Sequence, residues 1–195
     1  MSNSFLETIS TSLILASQSK QRLALLKSIG VNPNRIIFPE IDESIRKLEK
    51  PRDYVLRVSK EKAEKVHSLF PNNLILASDT IVVRGNRILD KTEDEKLAFK
   101  SLNMLSGNWH KVFTNVTLIK NSKVYNKLVF TRVLFKRLSN FEIENFLLTN
   151  EWRGKAGSYA IQGHSGAFIV KIKGSYSNVV GLPLYETLSL LRGVG

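Results

Sequence analysis

Apolar residues follow two spacings along this chain, and each spacing predicts a different kind of element. Continuous apolar runs of strand length occupy Leu13–Ala16 and residues 74–77, which indicates two buried strands. Residues 19–29 have apolar side chains three residues apart with Gly30 behind them, the pattern of a short helix with a stop signal. A longer helical pattern begins at Pro51 and reaches residue 69.

Turn and capping residues predict the remaining elements. The predicted hairpin turns are Gly85-Asn86 and Asn121-Ser122, and the predicted capping boxes are Thr92 with Glu95 and Ser139 with Glu142. Further strands are predicted over residues 36–38, 81–83, 87–89, 110–119, 124–136 and 168–172, and a last helix from Pro183. This order predicts an α/β fold: a single domain over residues 1–195, with a mixed sheet, flanking helices and a groove between two lobes, and a tail at residues 1–12.

The net charge of +12 is unevenly distributed along the chain. Residues 96–195 contain 14 basic and 4 acidic side chains, whereas residues 1–95 contain 15 and 13. A field of this sign attracts an anionic partner, such as a polyphosphate, an acidic lipid or a nucleic acid. No known nucleic-acid-binding motif accompanies the charge, so a nucleic acid is the less favoured of these partners.

Composition excludes several classes of protein and site. The absence of cysteine excludes a disulfide framework, a thiolate zinc site and a thiol nucleophile. Apolar stretches are far shorter than the roughly 20 residues of a membrane-spanning helix, and no secretion signal is visible, so we expect a cytoplasmic protein without a membrane partner. Residues 163–166 resemble a serine-hydrolase elbow around Ser165, but the second glycine comes one residue early.

Polar residues behind the first buried strand are candidates for a phosphate site. Ser17, Ser19 and Arg22 lie where that strand gives way to a helix. A helix N-terminus offers free N–H groups, and hydroxyl and guanidinium groups add further donors for phosphate oxygens. A plain helix cap explains Ser19 equally well.

Acidic residues behind two other strands are candidates for a cation or water site. Asp79 follows the run at residues 74–77, where a carboxylate can hold a hard cation or orient a water molecule, although a turn-forming aspartate is an equal explanation. Glu43 adds a carboxylate behind the strand at residues 36–38. Lys62 and Lys91 look like surface lysines when each is taken alone.

Five blocks of residues stand out when they are taken together. They are Ile14-Leu15-Ala16-Ser17-x-Ser19-x-x-Arg22, Ala77-Ser78-Asp79-Thr80, Leu105-Ser106-Gly107 with His110, Lys155-Ala156-Gly157-Ser158-Tyr159-x-Ile161-Gln162-Gly163, and Gly174-Ser175-Tyr176 with Val179-Val180-Gly181-Leu182-Pro183. In this order the blocks resemble the Maf family of nucleoside triphosphate pyrophosphatases, from about residue 13 to the C-terminus. The resemblance implies a mixed α/β fold with a deep cleft between two lobes, often in a homodimer.

The resemblance also implies a reaction and a set of roles. The family cleaves nucleoside triphosphates between the α and β phosphorus atoms, giving the monophosphate and pyrophosphate, with a divalent cation such as Mg²⁺ or Mn²⁺. The implied roles are Asp79 as proton acceptor and metal contact, Glu43 as the second acidic residue of the metal and water site, Ser17, Ser19, Arg22, Lys62 and Lys91 as substrate-binding residues, and Gln21, Thr80 and Gln162 as base-specificity residues.

Two departures from the family pattern leave alternatives open. The chain has Lys20-Gln21 where the family usually has Pro-Arg, and a neutral glutamine cannot make the bidentate charged contact of an arginine. Thr92 also replaces the proline that usually follows the lysine at position 91. Thr80 and Gln162 favour dTTP and UTP as substrates. The alternatives are a pyrophosphatase for a modified nucleotide and a weakly active regulator of cell division, with a basic nucleic-acid-binding module as the least favoured.

Overall fold

The structure is a computed structural model that describes residues 10–194. Its strands are β1 (Leu13–Ala16), β2 (Arg35–Ile37), β3 (Leu74–Arg84), β4 (Arg87–Leu89), β5 (Trp109–Lys120), β6 (Lys123–Phe135) and β7 (Ile169–Lys173). Its helices are α1 (Lys20–Ser28), α2 (Pro51–Leu69), α3 (Glu95–Leu105), α4 (Asn140–Leu148), α5 (Tyr176–Val180) and α6 (Leu184–Val194), with 3₁₀ turns at Ala156–Ser158 and His164–Phe168.

The strands of the described chain form one mixed seven-stranded sheet. The strand order is β2-β1-β3-β5-β6-β7, and β4 pairs with β3. β1 runs parallel to both β2 and β3, whereas the β3–β4 and β6–β7 pairs are antiparallel. The predicted α/β class with a mixed sheet is confirmed, and the predicted cleft between lobes stays a prediction.

The chain divides into two compact units. The first consists of the residues up to Asp79, Thr114–Val129 and the residues from Gly181 onward; the second consists of Thr80–Phe113 and Phe130–Val180. In the first unit the two faces of β1 and β3 enter different apolar clusters, because successive strand residues point to opposite sides. Leu13 and Leu15 pack with Leu26 of α1 and with α6, whereas Ile14 and Ala16 pack with Ala63 of α2 and its neighbours.

The second unit has its own core, formed by α3 and α4 against β5 and β6, with the fully buried Trp152 at its centre. The capping box of Ser139 and Glu142 at the start of α4 is confirmed. The predicted cap of α3 is wrong, because Asp94 caps the helix through bonds from the backbone of Lys96 and Leu97. Thr92 instead lies two residues before this N-cap, and its Oγ1 accepts a hydrogen bond from the Asp94 N–H.

Both predicted hairpin turns are present. Asn121 and Ser122 have φ values of 47° and 62°, the left-handed conformation that a tight two-residue turn between twisted strands requires. Gly85 has a φ of 62° between β3 and β4. The short helix α5 was not predicted. Of the predicted tail, Ser10 to Ser12 are helical and residues 1–9 lie outside the described residues.

The expectation that the second buried strand ends before Asp79 is wrong. β3 continues through Asp79 and Thr80 to Arg84, although its parallel pairing with β1 ends at Ala77. β3 also neighbours β5 in the sheet, and from Val82 to Arg84 it gains β4 as an antiparallel partner. No helix within residues 10–194 is long and apolar enough to cross a membrane.

Candidate functional site

A buried lysine joins two carboxylates in the first unit. Lys62 Nζ lies 2.8 Å from Asp79 Oδ1 and 3.0 Å from Glu43 Oε1. Lys62 is 5% exposed and Asp79 is 2% exposed, whereas the Glu43 side chain keeps about a third of its surface (35%) in solvent. The site therefore consists of one buried cation between a buried carboxylate and a carboxylate that reaches solvent.

The geometry of this cluster follows from the strand and helix patterns. Asp79 is two and four residues beyond Ala77 and Ile75, so it points to the face of β3 that α2 covers. Lys62 precedes Ala63 on the buried side of α2, and its side chain extends to Asp79 on that face of β3. The Tyr54 hydroxyl donates to the Glu43 carbonyl oxygen at 2.8 Å and ties the acidic loop to α2.

A second ion pair holds the rest of the acidic loop against α2. Arg57 Nε donates to Glu49 Oε1 at 2.6 Å, and Arg57 Nη2 donates to the Ser44 carbonyl oxygen at 2.9 Å. The hydrogen bonds from Arg57 lower the pKa of Glu49 to about 2, so Glu49 stays ionised in neutral solution. Sequence reasoning missed this pair, because neither residue stands out from the other charged residues of the segment.

Arg22, at the start of α1, is held by two acceptors. Its Nε donates to the Gly181 carbonyl oxygen at 2.9 Å, and its Nη1 donates to Ser17 Oγ at 3.1 Å. Burial lowers the pKa of Arg22, while the negative charges of Asp79 and Glu43 act in the opposite direction. An arginine begins so far above neutral pH that it keeps its charge, so the first unit holds a second, half-buried cation.

Ser17 and Gly181, the two acceptors of the Arg22 side chain, each accept a further hydrogen bond. Ser17 is 4% exposed, and its Oγ also accepts the backbone N–H of Ser19 at 3.1 Å. The Gly181 carbonyl oxygen accepts a second bond from the fully buried Ser78 Oγ at 3.2 Å. Sequence reasoning gave Gly181 no role, since a backbone carbonyl leaves no signature in side-chain chemistry.

The N-terminus of α1 includes the position where the chain departs from the family pattern. Ser19 is the N-cap, and its Oγ accepts the Arg22 N–H at 3.3 Å. The same Oγ donates to Gln21 Oε1 at 3.2 Å, so the amide of Gln21 is drawn to the cap.

Three of the predicted site residues belong to the second unit. Thr80 follows Asp79 directly on β3 and is half-buried, whereas Lys91 and Gln162 are exposed. Ser165, dismissed above as a nucleophile, is fully buried and exchanges hydrogen bonds with the backbone of Ala160, which is a structural role.

Comparison with known proteins shows the family to which the chain belongs. The model of the Maf-like protein family matches residues 12–194. The chain belongs to this family. A protein of Ehrlichia ruminantium strain Welgevonden named nucleoside triphosphate pyrophosphatase is 51% identical over 180 residues, covering 92% of this chain and 94% of the relative. A Rhizobium johnstonii protein named dTTP/UTP pyrophosphatase is 50% identical over 190 residues, covering 94% and 92%.

Asp79 and Glu43 are the residues of this Maf-like chain that could hold a divalent cation, although no group of three or more potential metal ligands occurs within residues 10–194. Asp79 and Glu43 direct oxygens at one positive atom, Lys62 Nζ, so their negative charges converge on a single point. Mg²⁺ usually takes one or two protein carboxylates and completes its shell with water and substrate phosphates. Asp79 and Glu43 are a donor set of that kind.

Proposed function

We propose that this Maf-like chain hydrolyses nucleoside triphosphates to the monophosphate and pyrophosphate, with dTTP and UTP as preferred substrates. The observation that carries the proposal is the bridge from Lys62 to Asp79 and Glu43. It combines a buried carboxylate, a solvent-accessible carboxylate and an ammonium group. The names of the relatives support the same reaction, since both describe pyrophosphatases of nucleotides.

Each group of the site has a part in the proposed reaction. Asp79 accepts a proton from water as the water oxygen forms a bond to a phosphorus atom of the α–β anhydride. The bridging P–O bond breaks, and its electron pair leaves with the bridging oxygen. Arg22 and Lys62 stabilise the negative charge on the phosphate oxygens, and the positive end of the α1 dipole adds to this stabilisation. Asp79 and Glu43 would hold a divalent cation, Mg²⁺ or Mn²⁺, which supplies further positive charge to the phosphates.

Base preference is the finer part of the proposal. Gln21, Thr80 and Gln162 are assigned to reading the base, and Ser19 and Lys91 to binding phosphates, by resemblance to the family. Replacing the usual arginine with Gln21 removes one charge, but Arg22 and Lys62 stay in place, so we expect the chain to be active. By resemblance to the family we also propose a homodimer, and from the sequence a cytoplasmic location; sedimentation of the purified protein and cell fractionation would test them.

The decisive experiment is a pyrophosphate-release assay with Mg²⁺ or Mn²⁺ and a panel of natural and modified triphosphates, in which orthophosphate is measured separately. We expect pyrophosphate release that is fastest with dTTP and UTP. Asp79→Asn should lower turnover by roughly 10²–10⁴-fold, the usual worth of a general base, because the amide keeps the shape but takes no proton.

Control variants separate catalysis from specificity and folding. Lys60→Met, on the exposed side of α2, should leave turnover unchanged. Gln21→Arg should raise the rate with dTTP or UTP; unchanged rates with every nucleotide would mean that position 21 does not read the base. Wild-type turnover in a folded Asp79→Asn variant would refute the role of Asp79 as proton acceptor. Absence of pyrophosphate release from every nucleotide of the panel would refute the proposed function.

A further inference from the structure

The second unit contains a cavity that shares no residue with the site described above. Its volume is about 580 Å³, and its lining residues are Val83, Arg84, Gly85, Trp109, His110, Lys111, Phe130 and Arg132. On β5, the side chains of His110 and Val112 join the core of the unit. The alternation of strand side chains therefore directs Trp109 and Lys111 to the opposite face, where the cavity lies.

Positive charge surrounds this cavity. The Arg132 guanidinium lies 4.9 Å from the centroid of the Trp109 ring, and Lys173 Nζ lies 5.4 Å from it. Arg132 and Lys173 are register partners on β6 and β7, so the two cations and the indole form a row across three strands. Arg84 and Lys111 add two more cations, and no lining residue is acidic.

Aromatic surface accompanies the charge. Phe130 is 48% exposed and packs against Phe113 with 5.8 Å between ring centroids. Trp109 is partly exposed beside the same cavity. Along β5 and β6 aromatic and basic residues alternate, as Trp109 does with Lys111 and Phe130 with Arg132. The sheet places these residues of the two strands around one cavity.

We propose that this face of the second unit, defined by Trp109, Lys111, Phe130, Arg132 and Lys173, binds single-stranded nucleic acid. Sequence-independent single-strand sites combine cations that follow the phosphates with aromatic rings on which unpaired bases stack. Adjacent strands are about 4.8 Å apart, so the cations on β5, β6 and β7 form a row about 10 Å long that can contact successive phosphates.

A second copy of the chain is a poorer occupant of this face. A two-fold interface brings the same patch of both subunits together, which would place these cations opposite one another without a carboxylate between them. A polyanion complements the same charges. The proposal is independent of the pyrophosphatase reaction, since none of the residues of the proposed reaction belongs to the face.

The test measures the binding of labelled 12-nucleotide oligothymidine and oligouridine to the full chain by fluorescence anisotropy, at salt concentrations between 50 and 200 mM. Lys111→Gln with Lys173→Gln should weaken binding at least tenfold. It should also reduce the slope of log affinity against log salt by about 1.4, since each single-strand phosphate contact contributes about 0.7. Phe130→Ala should weaken binding about tenfold and leave the slope unchanged, because stacking releases no counterions.

The matched control is Lys96→Gln with Lys100→Gln, which removes the same charge from α3 on the core side of the sheet. It should change neither the affinity nor the slope. An equal loss in the control would overturn the proposal, because the net charge alone would then explain binding. Absence of binding at 50 mM salt, or displacement by dTMP as effective as by the oligomer, would also overturn it. So would a dimer in sedimentation that Phe130→Asp dissociates.

Discussion

Lys62 allows the energetics of the candidate site to be measured without any substrate. In Lys62→Met the side chain keeps its length and loses its charge, so Asp79 becomes a buried carboxylate without its ion-pair partner and keeps only the electrostatic attraction of Arg22. Glu43 loses much less, because a third of its side chain already reaches solvent. Removing one member of a buried ion pair costs about 3–5 kcal/mol, and we expect a loss of that size in the free energy of unfolding.

A second substitution separates the cost of the unpaired charge from the cost of lost packing. Asp79→Asn alone should cost about 1.5–3 kcal/mol, since it removes a hydrogen bond between charged groups while Lys62 keeps Glu43 at 3.0 Å. In the Lys62→Met background, however, Asp79→Asn removes the unpaired charge itself. The double variant should therefore be no less stable than Lys62→Met, which gives a coupling energy of at least about 1.5–3 kcal/mol.

The assay is equilibrium unfolding in urea at pH 7.5 without nucleotide, accepted only where the m value is unchanged. Lys60→Met is the control, because Lys60 is exposed on the same helix and pairs with Glu64 at 3.5 Å across one turn. That substitution should alter stability by less than about 0.5 kcal/mol. Additive losses in the double variant, or equal losses in Lys60→Met and Lys62→Met, would refute the argument that the buried charge dominates.

Three further predictions test other parts of the structure. Burial lowers the pKa of His110 to about 4, so the unfolded chain binds the proton at a higher pH than the folded chain does. In urea titrations the wild type should therefore lose about 3 kcal/mol of stability between pH 6.5 and 4 relative to His110→Gln. Parallel stability profiles of the two proteins would contradict this. Gly157→Ala should lower the free energy of unfolding by at least about 2 kcal/mol, because φ is 66° and the new Cβ would lie 2.8 Å from Val82. Gly193→Ala in α6 places its Cβ where no atom lies within 4 Å and should raise the free energy of unfolding by up to about 1 kcal/mol. Equal thermal midpoints for the two variants would contradict this. Ser17→Ala removes an acceptor from Arg22 and should raise KM for dTTP by about 2–10-fold with little change in kcat, and an unchanged KM would show that Ser17 does not position Arg22.

The sequence predicted best those elements whose bounds have a local mark. β1 and α2 have the predicted bounds, since a strand buried on both faces reads as an unbroken apolar run and Pro51 marks the first turn of the helix. The length of β3 could not be predicted in this way. Asp79 and Thr80 interrupt its apolar run, and the strand continues through them because Lys62 neutralises the buried carboxylate.

The candidate site was only partly predictable for a related reason. Asp79 follows an apolar run of the sequence and Arg22 lies in the first turn of a helix, which are local features. Lys62 is a different case, because it is an unremarkable lysine until α2 is laid over β3 and brings its ammonium group to a carboxylate 17 residues away. Single-sequence patterns describe which face of an element is buried, but they contain no information on how far along its neighbour each element is placed.

The excess of basic residues shows the same limit from the side of function. Net charge predicted an anionic partner of no particular kind, because it counts paired and unpaired cations alike. The structure separates them: Arg153 and Lys136 of the second unit are paired with Glu93 and Glu142, whereas Arg132 and Lys173 lie over an indole ring. A cation that neighbours an aromatic ring and no carboxylate is the arrangement that favours a ligand with both phosphate groups and flat bases. The position of the cations on the sheet, rather than their number, therefore distinguishes a nucleic-acid surface from a solvated basic one.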